Sequence, residues 1–199
     1  MQHRTMKLAA VLGLAALAGA VPLLGSHSDR AAAATSGAPA WTIQPGGTLG
    51  FSVGNGSDSI GAKFAKWGGT INFDPDNPGA AAIHISVDLA SATIGDSFQD
   101  QLLQGDEFFN TPASPTATYE STSVTANPAG GYVAHGTLNL RGMAMPQDLN
   151  FTLTGSGAQR HVEGHASVDR TGYGVGNGQH GDNLDKAVKV DFAFDATRQ

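Results

Sequence analysis

The chain has 199 residues, a net charge of −6 and no cysteine. This length suits one domain with a sizeable core, and an acidic chain without basic runs is a poor partner for nucleic acid or anionic membranes. The lack of cysteine excludes thiol catalysis and thiolate metal sites. With 27 glycines and only 14% charged residues, the composition favours a turn-rich all-β protein, because glycine and surface threonine are poor helix formers.

The first residues are typical of an export signal. A basic start precedes an uncharged stretch over residues 8–25, and small-residue cleavage patterns end at Ala20 and at Ala34. We therefore predict that residues 1–34 are a signal peptide and processing region, cleaved after one of these alanines, and that 35–40 are a lead-in. A retained membrane anchor is the alternative, which the glycines and the proline within the stretch weaken. The predicted location is the periplasm or the exterior of the cell.

Strand-like runs recur from residue 41 to the end of the chain, broken by Gly, Pro, Asn or Asp. The clearest run is 83–89, where apolar and polar residues strictly alternate, as they do in a half-buried strand. No second domain is visible, so we predict one domain over 41–199. The predicted strands are 49–53, 60–64, 70–73, 83–89, 117–124, 132–140, 149–153, 161–168 and 188–194.

After the strand at 83–89 the apolar residues change to a helical spacing, which predicts one short helix between strands. A capping-box-like start at Asp96 precedes a helical stripe of Phe98, Leu102 and Phe109, and the helix should end before Pro112. The coarse prediction is therefore about eight antiparallel strands plus one helix. Closure into a barrel is the usual way for that many strands to avoid exposed edges.

Alternation also predicts which side chains point inward. On the residues alone, ordinary core packing and a ligand cavity are both open, because an eight-stranded barrel can be filled by side chains or hold one ligand. The predicted inward residues are Phe51, Phe64, Ile71, Phe73, Ile83, Ile85, Val87, Leu89, Leu138, Leu140, Phe151, Leu153, Val190, Phe192 and Phe194.

A series of short motifs resembles the YceI-like family of exported bacterial lipid-binding proteins, from residue 41 to residue 198. Each motif alone is weak, but together they come in the family's order. They are Trp41-Thr42-Ile43, Gly61 with Phe64 and Trp67, Phe73-Asp74-Pro75, Val87-Asp88-Leu89 with Ser91, Asp100 with Leu103 and Phe108-Phe109, Gly136 with Leu138 and Leu140-Arg141-Gly142, and Asp169-Arg170 with Tyr173-Gly174-Val175-Gly176.

The resemblance implies an extended eight-stranded antiparallel barrel similar to lipocalins, with a long isoprenoid or isoprenoid quinone in its interior. The inward residues would then be the ligand-binding residues. The implied function is that of a carrier without catalytic activity and without any cofactor other than the bound lipid or quinone. A homodimer and a cytochrome b561-type membrane protein are the candidate partners that the family suggests.

The strongest alternative is a small metal-dependent enzyme. On a strand, His161, Glu163 and His165 lie on one face, and two imidazoles with a carboxylate can hold Zn²⁺ or Fe²⁺. Their spacing of about 7 Å per pair of residues is wide for convergent ligands. A solvated outer strand face is the ordinary explanation of the same pattern. A third hypothesis is a barrel whose interior is simply packed.

Polar groups near the ends of the strands are the remaining candidates. Asp169 and Arg170 precede a glycine-rich stretch, and we interpret them as a salt-bridged closure of the barrel rather than a headgroup contact. The stretch 172–178 precedes no helical run, so a flexible rim loop is favoured over a phosphate loop. The candidate headgroup donors are Asn72, Asn110, Tyr119, Tyr132 and Arg170.

Overall fold

A computed structural model describes residues 37–199 of the protein. The predicted signal and processing region, 1–34, lies outside the described residues. Within 37–199, no helix combines the length and the apolar character needed to cross a membrane.

The described residues form one α-helix and eleven strands, joined by turns and four short 3-10 helices. Their bounds are β1 (Ala40–Ile43), β2 (Thr48–Asn55), β3 (Asp58–Phe64), β4 (Trp67–Asn72), β5 (Ala82–Asp88), β6 (Ala92–Thr93), α1 (Ser97–Gln104), β7 (Thr116–Ala126), β8 (Tyr132–Leu140), β9 (Met143–Thr154), β10 (Gln159–Asp169) and β11 (Leu184–Arg198). The 3-10 helices are Pro78–Ala80, Leu89–Ser91, Arg170–Tyr173 and Gln179–Gly181.

The strands close into an antiparallel barrel. Three of the eight strands of the wall are bent. In each of them a short interruption divides the strand in two, between β1 and β2, between β3 and β4, and between β5 and β6. Both halves of the first bent strand pair with β11, which closes the circle. Counted along its wall, the described part of the chain is therefore an eight-stranded up-and-down barrel with one helix, which confirms the predicted fold class.

The closure between β1 and β11 is anchored by a buried tryptophan. Trp41 pairs in register with Arg198 of β11 and with Ile71 of β4. Its ring nitrogen donates a hydrogen bond of 2.8 Å to the carbonyl of Phe73. A large apolar ring with a satisfied N–H can be buried at little cost, so this residue ties three strands together.

The helix begins as predicted but ends early. The carboxylate of Asp96 accepts a hydrogen bond from the N–H of Phe98 at 3.1 Å, which caps α1. The helix ends at Gln104, because Gly105 takes an extended conformation. The predicted helical stripe is therefore wrong. Phe98 is 75% exposed, and Phe109, although buried, lies in the turn after the helix and not in the helix.

Arg170 closes one end of the barrel, but without the predicted salt bridge. Asp169 caps the N–H of Thr171 instead, at 2.9 Å. The buried guanidinium donates five hydrogen bonds of 2.7–2.8 Å, all to backbone carbonyls. The acceptors are the carbonyls of Val175, Gly176, Gly181, Leu184 and Asp185.

The salt-bridge prediction failed because the segment after Arg170 folds back around the guanidinium. Val175 and Gly176 are buried there, so the predicted rim loop is a packed cover.

Candidate functional site

The inward faces of the strands surround a cavity of about 530 Å³, within the range of ligand pockets. Every residue that alternation predicted to point inward lines it; their role as ligand contacts stays a prediction. These residues are Phe51, Phe64, Ile71, Phe73, Ile83, Ile85, Val87, Leu89, Leu138, Leu140, Phe151, Leu153, Val190, Phe192 and Phe194.

Two groups stand out among the lining residues that sequence reasoning missed. The first comes from α1 and the turn after it, where the predicted stripe concerned the helix and not the cavity. The second comes from the inner face of β10, whereas the metal-site hypothesis concerned only the outward polar face of this strand. The apolar residues of these two groups are Leu102, Leu103, Phe108, Phe109, Val162, Ala166 and Val168.

The cavity is accessible at the end of the barrel that carries α1. Phe51, Phe64 and Phe109 pack there with ring centroids 5.6–6.0 Å apart. Two exposed polar residues, Gln99 of α1 and His180, also line the cavity. Lining residues that are also exposed mark a mouth between the helix and the cover around Arg170.

The opposite end carries an aromatic cluster and an arginine. Phe73, Tyr132 and Phe151 form an aromatic cluster with centroids 4.9–5.6 Å apart. Beside them, the guanidinium of Arg160 lies 5.7 Å from the centroid of the Trp41 ring, a cation–π arrangement. Arg160 lines the cavity and donates through Nη1 to two turn carbonyls.

Most of the predicted headgroup donors are unsuited to that role. Of the described residues proposed for it, Asn72, Asn110 and Tyr132 do not line the cavity. Tyr119 and Arg170 do, but the hydroxyl of Tyr119 donates to a backbone carbonyl at 2.9 Å and Arg170 donates to five others. Burial raises the pKa of Tyr119 above its usual range, so this hydroxyl stays protonated.

The metal-site alternative finds no support in the described residues. Nδ1 of His161 lies 2.6 Å from the carboxylate of Asp195, and Nε2 lies 3.2 Å from that of Glu163. These two carboxylates, Asp195 first, raise the pKa of His161. Within 37–199, no group of three or more His, Asp or Glu side chains is arranged to hold a metal ion. The face carries ion pairs on the outside of the barrel, as the ordinary explanation of the pattern proposed.

A closed eight-stranded antiparallel barrel around an apolar cavity defines the class of lipocalin-like barrels. The chain belongs to the YceI-like family, because the model of the YceI-like domain matches residues 41–196. UPF0312 proteins of Yersinia pestis and Yersinia enterocolitica are each 35% identical to it over 95 residues, or 48% of this chain. The match covers 49% of each relative, so it spans about half the length of these curated proteins.

Solved structures share the fold at low sequence identity. BcnA of Burkholderia cenocepacia superposes with a TM-score of 0.71 at 23% identity, covering 76% of this chain and 96% of BcnA. A polyisoprenoid binding domain from Saccharophagus degradans gives 0.62 at 18% identity, covering 81% and 99%. The YCEI protein of Campylobacter jejuni gives 0.61 at 16% identity, covering 71% and 86%. At these identities the likeness shows the fold alone.

Proposed function

We propose that this protein is a non-catalytic carrier that holds a long isoprenoid, free or as the tail of a quinone, inside the barrel. The observation that carries the proposal is the cavity of about 530 Å³, whose lining is almost entirely aliphatic and aromatic. Membership of the YceI-like family supports it, as does the fold shared with a polyisoprenoid binding domain.

The chemistry of the lining suits such a tail. An isoprenoid chain has no charge and few hydrogen-bonding groups, so it needs no polar partner along its length. Each methylene taken out of water contributes about 0.8 kcal/mol, and a long tail therefore binds tightly through contact area alone. At about 24 cal/mol per Å³, an empty apolar cavity of 530 Å³ forgoes on the order of 10 kcal/mol of packing. We therefore expect a bound lipid to stabilise the fold markedly.

The predicted export signal supports a location in the periplasm or outside the cell, where a water-insoluble tail needs shielding between membranes. A membrane protein of the cytochrome b561 type is the proposed exchange partner, and a homodimer the proposed assembly. The acidic charge of the chain disfavours nucleic acid as a partner.

Organic extraction and mass spectrometry of the purified protein test the proposal directly. We expect a co-purified isoprenoid, and we expect Ala166→Phe to lose it. Ala166 is 2% exposed and lines the cavity, so a phenyl ring there occupies the space of the tail. The matched control is Ala187→Phe, at an exposed position of β11 that does not line the cavity.

The control should retain the lipid. A protein that carries no lipid and fails to bind added geranylgeraniol would contradict the proposal. So would equal lipid content in the two phenylalanine variants, provided both show the circular dichroism of the parent barrel.

A further inference from the structure

The wall of the barrel is split between β9 and β10. These strands pair only where residues 150–154 face residues 161–165. Beyond Asn150 and His165 the two strands continue, each paired on its other side with β8 or β11. Pro146, which has no N–H to donate, lies on the diverging part of β9. The split is therefore a seam with unpaired backbone edges in the wall of the barrel.

One side chain bridges this seam. The amide nitrogen of Gln147 donates to the carbonyl of Asp148 at 2.9 Å and to the carbonyl of Ser167 at 3.1 Å. The two carbonyls belong to the two strands that flank the seam. Because both are hydrogen-bond acceptors, they cannot pair with each other directly. A primary amide carries two donors, so Gln147 joins the strands where the backbone does not.

A cleft of about 390 Å³ lies over the seam. Its walls mix polar and apolar groups, and Gln147 lines both this cleft and the apolar cavity inside the barrel. The side chain of Gln147 therefore borders both the outer cleft and the cavity within the barrel. The residues that line the cleft are Met145, Pro146, Gln147, Asp148, Ser167, Asp169 and Tyr173.

The cleft is rich in acceptors. Oδ1 of Asp148 binds His135 at 2.8 Å, and Oδ1 of Asp169 accepts from the N–H and hydroxyl of Thr171 at 2.9 and 2.6 Å. Oδ2 of Asp148 takes no hydrogen bond from the part of the chain described. The hydrogen bonds from Thr171 lower the pKa of Asp169, so its charge persists at neutral pH. Such a site favours a hydroxyl donor and repels a phosphate.

We propose that the cleft over the β9–β10 seam binds the headgroup of the isoprenoid, and that this headgroup is neutral and bears a hydroxyl, as in a polyprenol or a hydroquinone. The tail passes Gln147 into the cavity. This inference rests on the proposed carrier function and adds the position and chemistry of the headgroup. Two competing positions exist: the mouth at Gln99, and the far end, where Arg160 would suit an anion.

Three ligands with the same tail separate these positions: geranylgeraniol, its phosphate, and the hydrocarbon in which hydrogen replaces the hydroxyl. The readout is the ratio of the affinities for alcohol and hydrocarbon, which cancels the contribution of the tail. We expect Gln147→Leu to lower this ratio about tenfold, because leucine lacks the side-chain oxygen of Gln147, which accepts no hydrogen bond within residues 37–199 and is an acceptor for the headgroup hydroxyl. The matched control is Gln99→Leu, the same change at the other cavity-lining glutamine, and it should leave the ratio unchanged.

The phosphate tests the charge of the cleft. It should bind more weakly than the alcohol, and Asp148→Asn combined with Asp169→Asn should reduce that difference by removing two like charges. This second measurement remains available if Gln147→Leu does not fold.

A ratio that falls in Gln99→Leu instead, or in neither variant, would overturn the inference. So would tighter binding of the phosphate that is lost in Arg160→Gln, since the headgroup would then lie at the far end. If none of the three ligands binds, the carrier function itself fails, and the headgroup inference fails with it.

Discussion

Replacing Arg170 by lysine tests how the cover at the open end of the barrel is held. The substitution keeps the positive charge and most of the length, but it removes the planar fork of donors. Arg170 is only 7% exposed, and its five N–H groups all donate to backbone carbonyls of the segment that folds around it. No carboxylate forms an ion pair with it within 37–199, so its role is geometric.

The magnitude follows from the number of donors. Lysine has three N–H donors, so at least two of the five carbonyls lose their partner. A hydrogen bond to a charged group contributes about 1.5–3 kcal/mol, and the free energy of unfolding should therefore fall by about 3–6 kcal/mol. For a domain of this size about 2–4 °C is lost per kcal/mol, so the melting temperature should fall by about 6–24 °C.

Thermal unfolding followed by circular dichroism and calorimetry measures this loss. The matched control is Arg160→Lys at the other end of the barrel, where Nη1 alone donates to two carbonyls, which a lysine can also satisfy. We expect the control to cost under about 1 kcal/mol. Equal losses in the two variants would show that the saturated guanidinium is not what holds the cover.

Two further predictions concern the wall. Gly69→Ala should lower the free energy of unfolding by about 1–3 kcal/mol, because its new Cβ would collide with the carbonyl of His84. The matched control is Gly68→Ala, whose new Cβ meets nothing within 4 Å. Chemical denaturation compares the two variants, and equal midpoints would contradict the packing argument. The raised pKa of His161 predicts an ion pair with Asp195 that stabilises the fold at low pH and is lost as the pH rises through that pKa. His161→Gln and Asp195→Asn should therefore each lower the denaturation midpoint at about pH 5 but not at about pH 9. A loss of stability that does not depend on pH would refute the ion pair as its cause.

The strands and their inward faces could be predicted because both depend on neighbours in the chain. Alternation over 83–89 places every second side chain inward whatever the rest of the barrel does. The acceptors of Arg170 could not be predicted in this way. The local sequence is equally compatible with a salt bridge to the adjacent Asp169 and with hydrogen bonds to backbone carbonyls later in the chain. The bridge from Gln147 to Ser167 depends on where two strands stop pairing, which no local pattern reports.

The alternation of apolar and polar residues also left open whether side chains fill the interior of the barrel. Small inward residues contribute to the answer. Gly136 lies under the ring of Tyr119, and Gly164 under the ring of Phe192, so that a Cβ at either glycine would collide with the ring. These aromatic rings can lie flat against the wall instead of crossing the barrel. Glycine weakens a strand, and its use at inward positions requires a compensating reason. We infer that the reason is the space that the two rings leave free for a tail.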